Sequence, residues 1–181
     1  AMMNFLNNAD SLDNYGVKPE TAMTVVLPNT YTYYWNTTPS KVYQKLYDES
    51  QKFWNVDRKE KATQKGLTAQ TAYILASIIE EETNAKTDKP NIASVYLNRM
   101  KIGMPLQADP TVKFALKDFG IKRILHKHLE VESPYNTYRI AGLPPTPIAN
   151  PGRDALAAVL HPPATKELYF VADGSGGHVF A

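Results

Sequence analysis

Apolar residues recur at helical spacing in five stretches of the chain and at strand spacing only near its end. Thr38-Pro39 supplies an N-cap followed by proline at the first helical position, and Val42, Tyr43, Leu46, Tyr47 and Phe53 or Trp54 then share one face. Residues 55–66 read as a Lys-rich connection ending at Gly66. Thr68 caps a second helix running to about Lys86, and Pro90 opens a third, with Ile92, Val95, Tyr96 and Met100 on one side and Gly103 as its stop. Asp109-Pro110 caps a fourth helix from Thr111 to about Asp118, and Asn150-Pro151-Gly152 starts a fifth, to about His161. Thr24-Val25-Val26-Leu27 is a short β-favouring run closed by the Pro28-Asn29 turn, while residues 1–20 are polar and lack a period. Residues 134–151 hold too many prolines for a long helix and are too apolar for a linker, so they predict an ordered loop. Leu168–Ala172 reads as a strand, Asp173–Gly177 as a glycine turn and His178–Phe180 as a return strand. The class is α+β, with helices dominant.

The second helix carries the most informative residues. A helix turns by about 100° per residue, so with Ile74 at zero, Leu75, Ile78 and Ile79 define an apolar face centred at about 70°. Glu82 falls at about 80°, in the middle of that face; Glu81 lies at its edge, and Glu80 points away. Burial penalises the charged form of a carboxyl and raises its pKa, which suits a general acid at neutral pH. The competing reading is that the helix ends before Glu82 and all three acids are solvated.

Composition narrows the class. Of 181 residues, 43% are hydrophobic and 21% charged, which excludes a disordered chain. Twenty Lys and Arg against 18 Asp and Glu give a net charge of +2 and no general electrostatic case for nucleic acid. No cysteine is present, so disulfides, thiolate metal sites and a Cys nucleophile are excluded. Eleven Tyr, six Phe and two Trp are a generous aromatic supply, and Tyr31, Tyr33, Tyr34 and Trp35 crowd into five positions, as a packed loop or a sugar-stacking wall. No run approaches the ~18 apolar residues that span a bilayer.

Ala76-Ser77-Ile78-Ile79-Glu80-Glu81-Glu82-Thr83 resembles the signature helix of the endolytic murein transglycosylases, the YceG-like family of bacterial cell-wall enzymes. The resemblance continues through Ile92-Ala-Ser-Val-Tyr-Leu-Asn-Arg99, Ile102-Gly-Met-Pro-Leu-Gln-Ala-Asp-Pro-Thr111, Ser133-Pro-Tyr-Asn-Thr-Tyr138, Gly142-Leu-Pro-Pro-Thr-Pro-Ile148 and Asn150-Pro-Gly152. It ends with His161-Pro162 and the segment from Leu168 to Phe180. It implies that residues 1–181 are one catalytic domain, with 67–181 the motif-bearing core and 1–66 a more loosely similar part. It further implies a lysozyme-like active-site helix, on which the second glutamate of a Glu-x-Glu-(Thr/Ala) element, matching Glu82, is the catalytic acid. The expected reaction is non-hydrolytic cleavage of the MurNAc–GlcNAc β-1,4 bond of nascent glycan strands, leaving 1,6-anhydro ends and limiting strand length. Peptidoglycan synthases are the implied protein partners. Family members also carry a transmembrane helix and a LysM-like module, absent from these 181 residues, which place the enzyme at the periplasmic face of the inner membrane. No cofactor is implied.

Gln107, in an apolar-flanked turn of one of these motifs, is expected to touch either sugar N-acetyl groups or backbone. Tyr135, Asn136, Thr137 and Tyr138 are expected substrate-binding residues, since this stretch of rings and polar tips suits a saccharide. The alternative is a loop pinned by its own Asn and Thr side chains. Asp109 reads as a helix cap, and Asn150 likewise. His126 and His128 lie two apart, on different faces of a helix and without a third ligand, so no metal site is expected. The glycine turn lacks the Lys-Ser/Thr ending of a phosphate loop. Two rival functions remain: a two-carboxylate muramidase pairing Glu82 with Asp109 or Glu80, and a wall-binding module without turnover.

Overall fold

The computed structural model describes every residue except Ser175, a member of the glycine turn, which lies outside the described residues. In chain order the helices are α1 (Met2–Leu6), α2 (Ala9–Leu12), α3 (Pro39–Phe53), α4 (Val56–Thr63), α5 (Ala69–Glu82), α6 (Lys89–Lys101), α7 (Asp109–Leu116), α8 (His126–Leu129) and α9 (Arg153–Leu160). Strands β1 (Phe170–Ala172) and β2 (His178–Phe180) pair antiparallel, with Phe170 opposite Phe180 and Ala172 opposite His178. The fold is therefore α+β with helices dominant. No helix among the described residues is long and apolar enough to cross a membrane.

Helix α5 is the axis of the molecule. Every residue from Ala72 to Ile79 is buried, because α6 and α9 both pack against the helix. A helix that is apolar all round belongs in a core rather than at a surface. Its N-terminus is closed by a capping box between Thr68 and Thr71. Its C-terminus comes at Glu82, short of Lys86, where Thr83 turns extended and its hydroxyl accepts from the Ala85 N–H at 3.0 Å.

A second apolar cluster, of Leu12, Ala22, Val25 and Tyr43, gathers the N-terminal third, with Phe5, Tyr15 and Tyr47 packed against it. The Tyr43 hydroxyl donates to the Ala22 carbonyl at 2.8 Å, which satisfies the one polar atom that this side chain buries. Tyr73 of α5 links this part to the main core by donating to Val26 O at 2.7 Å.

A two-stranded sheet is marginal alone. Here it leans on α6: the Phe170 ring meets Tyr96 edge-on at 5.7 Å, and Phe170 and Phe180 both pack on the main core. The preceding strap is tied down by α6 side chains. Ser94 donates to Pro163 O, Asn98 to Thr165 O and Glu167 O, and Arg99 to Leu168 O.

Several local expectations are corrected. Thr24 and Val25 end a 3₁₀ helix, Pro19–Val25, instead of opening a strand; the Thr24 hydroxyl bonds back to Thr21 O, a local contact that competes with extension. The 55–66 connection contains α4, capped by Asn55 and braced by Asp57 with Lys61. Asp109 lies inside the first turn of α7, whose N-cap is Ala108, and α9 is entered through Gly152 and not Asn150. Both side chains have tertiary partners instead: Tyr138 for Asp109 and Tyr73 for Asn150.

Candidate active site

Glu82 ends α5 against α6, half-buried, with its Oε1 accepting a 2.5 Å hydrogen bond from the Tyr96 hydroxyl. Tyr96 is buried among apolar side chains, so its hydroxyl needs an acceptor and Glu82 supplies it. Burial pushes the Glu82 carboxyl up from 4.5 to about 7; the Tyr96 hydrogen bond opposes this, the charge of Asp109 adds to it, and Lys113 and Arg99 pull against it. Burial, and then the Glu82 charge, push the Tyr96 hydroxyl well above the ordinary phenol value, so it stays a donor. With Oε1 committed to Tyr96, Oε2 is the oxygen left to exchange a proton.

Asp109 stands close enough to affect the charge of Glu82, and its Oδ1 accepts from the Tyr138 hydroxyl at 2.6 Å. Burial first, and then Asp109, raise the Tyr138 pKa. Asp109 and Tyr138 line an open cleft of about 490 Å³ together with residues 123–127 and Leu129.

Arg99 is 6% exposed and sits one helical turn beyond Tyr96 on α6. Its guanidinium spans carbonyls at Pro105, Leu106 and Leu168, reaches Gln107 Oε1 at 3.3 Å and lies 5.1 Å over the Tyr169 ring. It thereby holds the 105–107 segment against α6. Gln107 adopts a left-handed φ of 55°, uncommon for a residue with a Cβ, and its N–H donates to Thr137 O at 3.0 Å. Its side chain is exposed at this edge.

Two of the expected substrate-binding residues are corrected. Asn136 and Thr137 are fully buried. Asn136 gives both amide protons to Leu129 O and Val131 O and accepts from the Tyr138 N–H. Thr137 shares its hydroxyl with Thr111 and accepts from the Ala108 N–H. Their hydrogen-bonding capacity goes into pinning the 133–138 loop, through Asn136 to the end of α8 and the residues after it and through Thr137 to the start of α7, and no surface is left for a sugar. Tyr135 and Tyr138 are half-buried. Tyr135 packs on Phe114 at 4.8 Å between ring centres and bonds Thr146 through its hydroxyl.

Glu80 is also not where the helical wheel puts it. Its Oε2 accepts from Lys89 Nζ at 2.8 Å and from the Gly152 N–H at 3.0 Å, and Lys89 reaches Asp154 at 2.9 Å. Lys89 is 4% exposed; burial disfavours its charge, but the two carboxylates win and raise its pKa. A side chain at Gly152 would run into the Asp154 carboxylate, so glycine lets the loop close over this ion triad. Glu81 alone of the three is exposed. The sequence reading missed Tyr96, Arg99 and the Lys89–Asp154 clamp. The available signal was a Tyr and an Arg three apart on a helix face, with an otherwise apolar core beside them.

His126 and His128 lie on α8, where His128 Nδ1 accepts from the Leu125 N–H at 3.1 Å. Among the described residues no three His, Asp or Glu side chains gather as a metal site would require. His178 at the end of the glycine turn pairs with Asp88 at 3.0 Å.

Residues 2–181 match the YceG-like family. The chain belongs to that family. It is 52% identical over 109 residues to an endolytic murein transglycosylase of Bacillus subtilis, covering 59% of this chain and 29% of that protein. A Streptococcus pneumoniae protein of the same name is 33% identical over 120 residues, covering 64% of this chain and 22% of the relative. The matched region thus spans less than a third of either relative. A crystal structure of a YceG-like protein from Listeria monocytogenes superposes with a TM-score of 0.80 at 30% identity, covering 99% of this chain and 63% of that one. In this YceG-like chain the motifs of α5, α6 and the 102–111 and 133–138 segments converge on Glu82, Tyr96, Arg99 and Asp109.

Proposed function

We propose that this chain is the catalytic part of an endolytic murein transglycosylase, cutting the MurNAc–GlcNAc β-1,4 bond of glycan strands outside the cytoplasmic membrane. The observation that carries the reading is Glu82: a desolvated carboxyl with a pKa of about 7, one oxygen fixed by Tyr96. Such a group is protonated often enough at neutral pH to act as an acid and ionised easily enough to act next as a base. As acid, Oε2 gives its proton to the glycosidic oxygen as the C1–O bond breaks and oxocarbenium character develops at the muramoyl C1. As base, the resulting carboxylate takes the proton of the same sugar's 6-hydroxyl, whose oxygen bonds to C1 and closes the 1,6-anhydro ring. The nucleophile is already in the substrate, so the attack is intramolecular and gains from proximity. In this reading exposed Gln107 and half-buried Tyr138 meet the strand. The names of the relatives support the substrate. Synthase partners and a membrane anchor in the complete protein belong to the same reading.

Asp109 favours one alternative, a muramidase in which it activates water opposite Glu82. Mass analysis of the released muropeptides separates the two: 1,6-anhydro muramoyl ends support the transglycosylase, and reducing muramic acid ends refute it. Strand binding without release of fragments would make the chain a wall-binding module.

A further inference from the structure

The cleft beside Asp109 has a charge that the proposed chemistry does not use. It is also lined by Arg123, Ile124, Leu125, His126, Lys127 and Leu129. Arg123, His126 and Lys127 are exposed, and no ion pair among the described residues includes them. Lys113, Lys117 and Lys122 lie in the same stretch, so that residues 109–130 hold five of the 20 basic residues against three acids. The basic residues crowd toward 122–127, and the one acid that lines the cleft, Asp109, accepts from the Tyr138 hydroxyl. Exposed cations lining a concave surface attract an anion, with a strength that falls as salt rises.

Resting on the glycan reading above, we infer that this cleft is a subsite for the carboxylates of the peptide stem carried by the muramoyl residue being cut. A murein strand is a neutral polysaccharide backbone; its anionic groups are the free carboxylates of the short peptides attached through the lactyl ether at C3 of each muramoyl ring. The peptide on the cleaved sugar therefore leaves the strand within one ring of the bond that Glu82 protonates. Asp109, near enough to influence Glu82, lines the cleft together with Arg123 and Lys127. Leu125 and Ile124 add apolar surface for the aliphatic parts of a peptide. Strands bearing stems should be preferred over bare glycan.

The test is binding to soluble, uncross-linked strands by the Glu82→Gln chain, which blocks turnover. Three forms of the strand serve as probes: with stems, with stems removed by an amidase, and with stems whose carboxylates have been converted to amides. Two exposed charge contacts predict about three- to tenfold tighter binding of the stem-bearing form, shrinking in high salt. Adding Arg123→Ser and Lys127→Ser should bring the ratio to within about twofold, as should amidating the stems. Equal binding of stem-bearing and stem-free strands, or a preference that survives the double substitution or amidation, overturns the subsite. Binding of none of the three strands overturns the glycan reading itself.

Discussion

Replacing Glu82 by Gln should stabilise the fold, and do so mainly above neutral pH. The folded carboxyl has a pKa of about 7 against an ordinary 4.5. Because the folded value is the higher one, the unfolded chain gives up its proton first as the pH rises. Below 4.5 the group is neutral in both states and has no effect; stability falls through the window from 4.5 to about 7, and above it the full loss is in place. The gap of about 2.5, at ~1.4 kcal/mol for each pKa unit, amounts to roughly 3 kcal/mol. A Gln side chain is never charged, and its carbonyl can still accept from Tyr96, so the substitution removes this penalty. For a domain of this size each kcal/mol is worth ~2–4 °C, so the melting midpoint at about pH 8.5 should rise by roughly 6–12 °C. At about pH 5 the penalty is under ~1 kcal/mol, and the two proteins should melt within a few degrees of each other. Thermal unfolding followed by circular dichroism at both pH values reads the difference. A Gln variant less stable than its parent at the higher pH, or shifted equally at both, would refute a desolvated Glu82.

The same carboxyl sets the pH profile of cleavage: the acid form starts the reaction, so turnover should decline on the alkaline side of about pH 7, and a flat profile to pH 9 would rule out Glu82 as the acid. Tyr96→Phe removes the bond that lowers the Glu82 pKa, so the alkaline limb should move to higher pH while turnover drops; an unmoved limb would show that Tyr96 does not act on Glu82. Lys89→Met leaves Glu80 and Asp154, each about one-third exposed, facing each other without a cation, and should cost about 2 kcal/mol in urea unfolding; a neutral result would mean that the triad is solvated. Asn136→Ala strands the Leu129 and Val131 carbonyls and should lose ~1–3 kcal/mol, whereas Tyr138→Phe should cost less and weaken strand binding; the opposite order would return Asn136 to the groove.

The α+β class was legible because periodicity and local punctuation agreed over long segments. Pro39, Thr68, Pro90 and the glycine turn mark boundaries within a few residues of those found. Short elements were lost. Helix α4 spends its charges on an Asp57–Lys61 pair and shows the core little more than Ala62, so a Lys-rich reading hid it. Asp109-Pro and Asn150-Pro read as caps because sequence offers only local partners for a short polar side chain. Tyr138 and Tyr73 come from 29 and 77 residues away and take those side chains instead.

At the site, the helical wheel failed for one residue for a definite reason. It assumes a core side and a water side. That assumption places Glu82 on the apolar face, and its carboxyl is indeed desolvated there. The opposite side of α5 is not water, because α6 and α9 begin beside it and bring Lys89, Gly152 and Asp154 to Glu80. The three consecutive acids therefore meet three environments: an ion triad, solvent, and a phenol in the core. The triad holds the last turn of α5 against the starts of α6 and α9, two residues before the carboxyl that meets Tyr96. Charge neutralised at Glu80 leaves Glu82 without a compensating cation in contact, which is the condition for a carboxyl with a pKa of about 7.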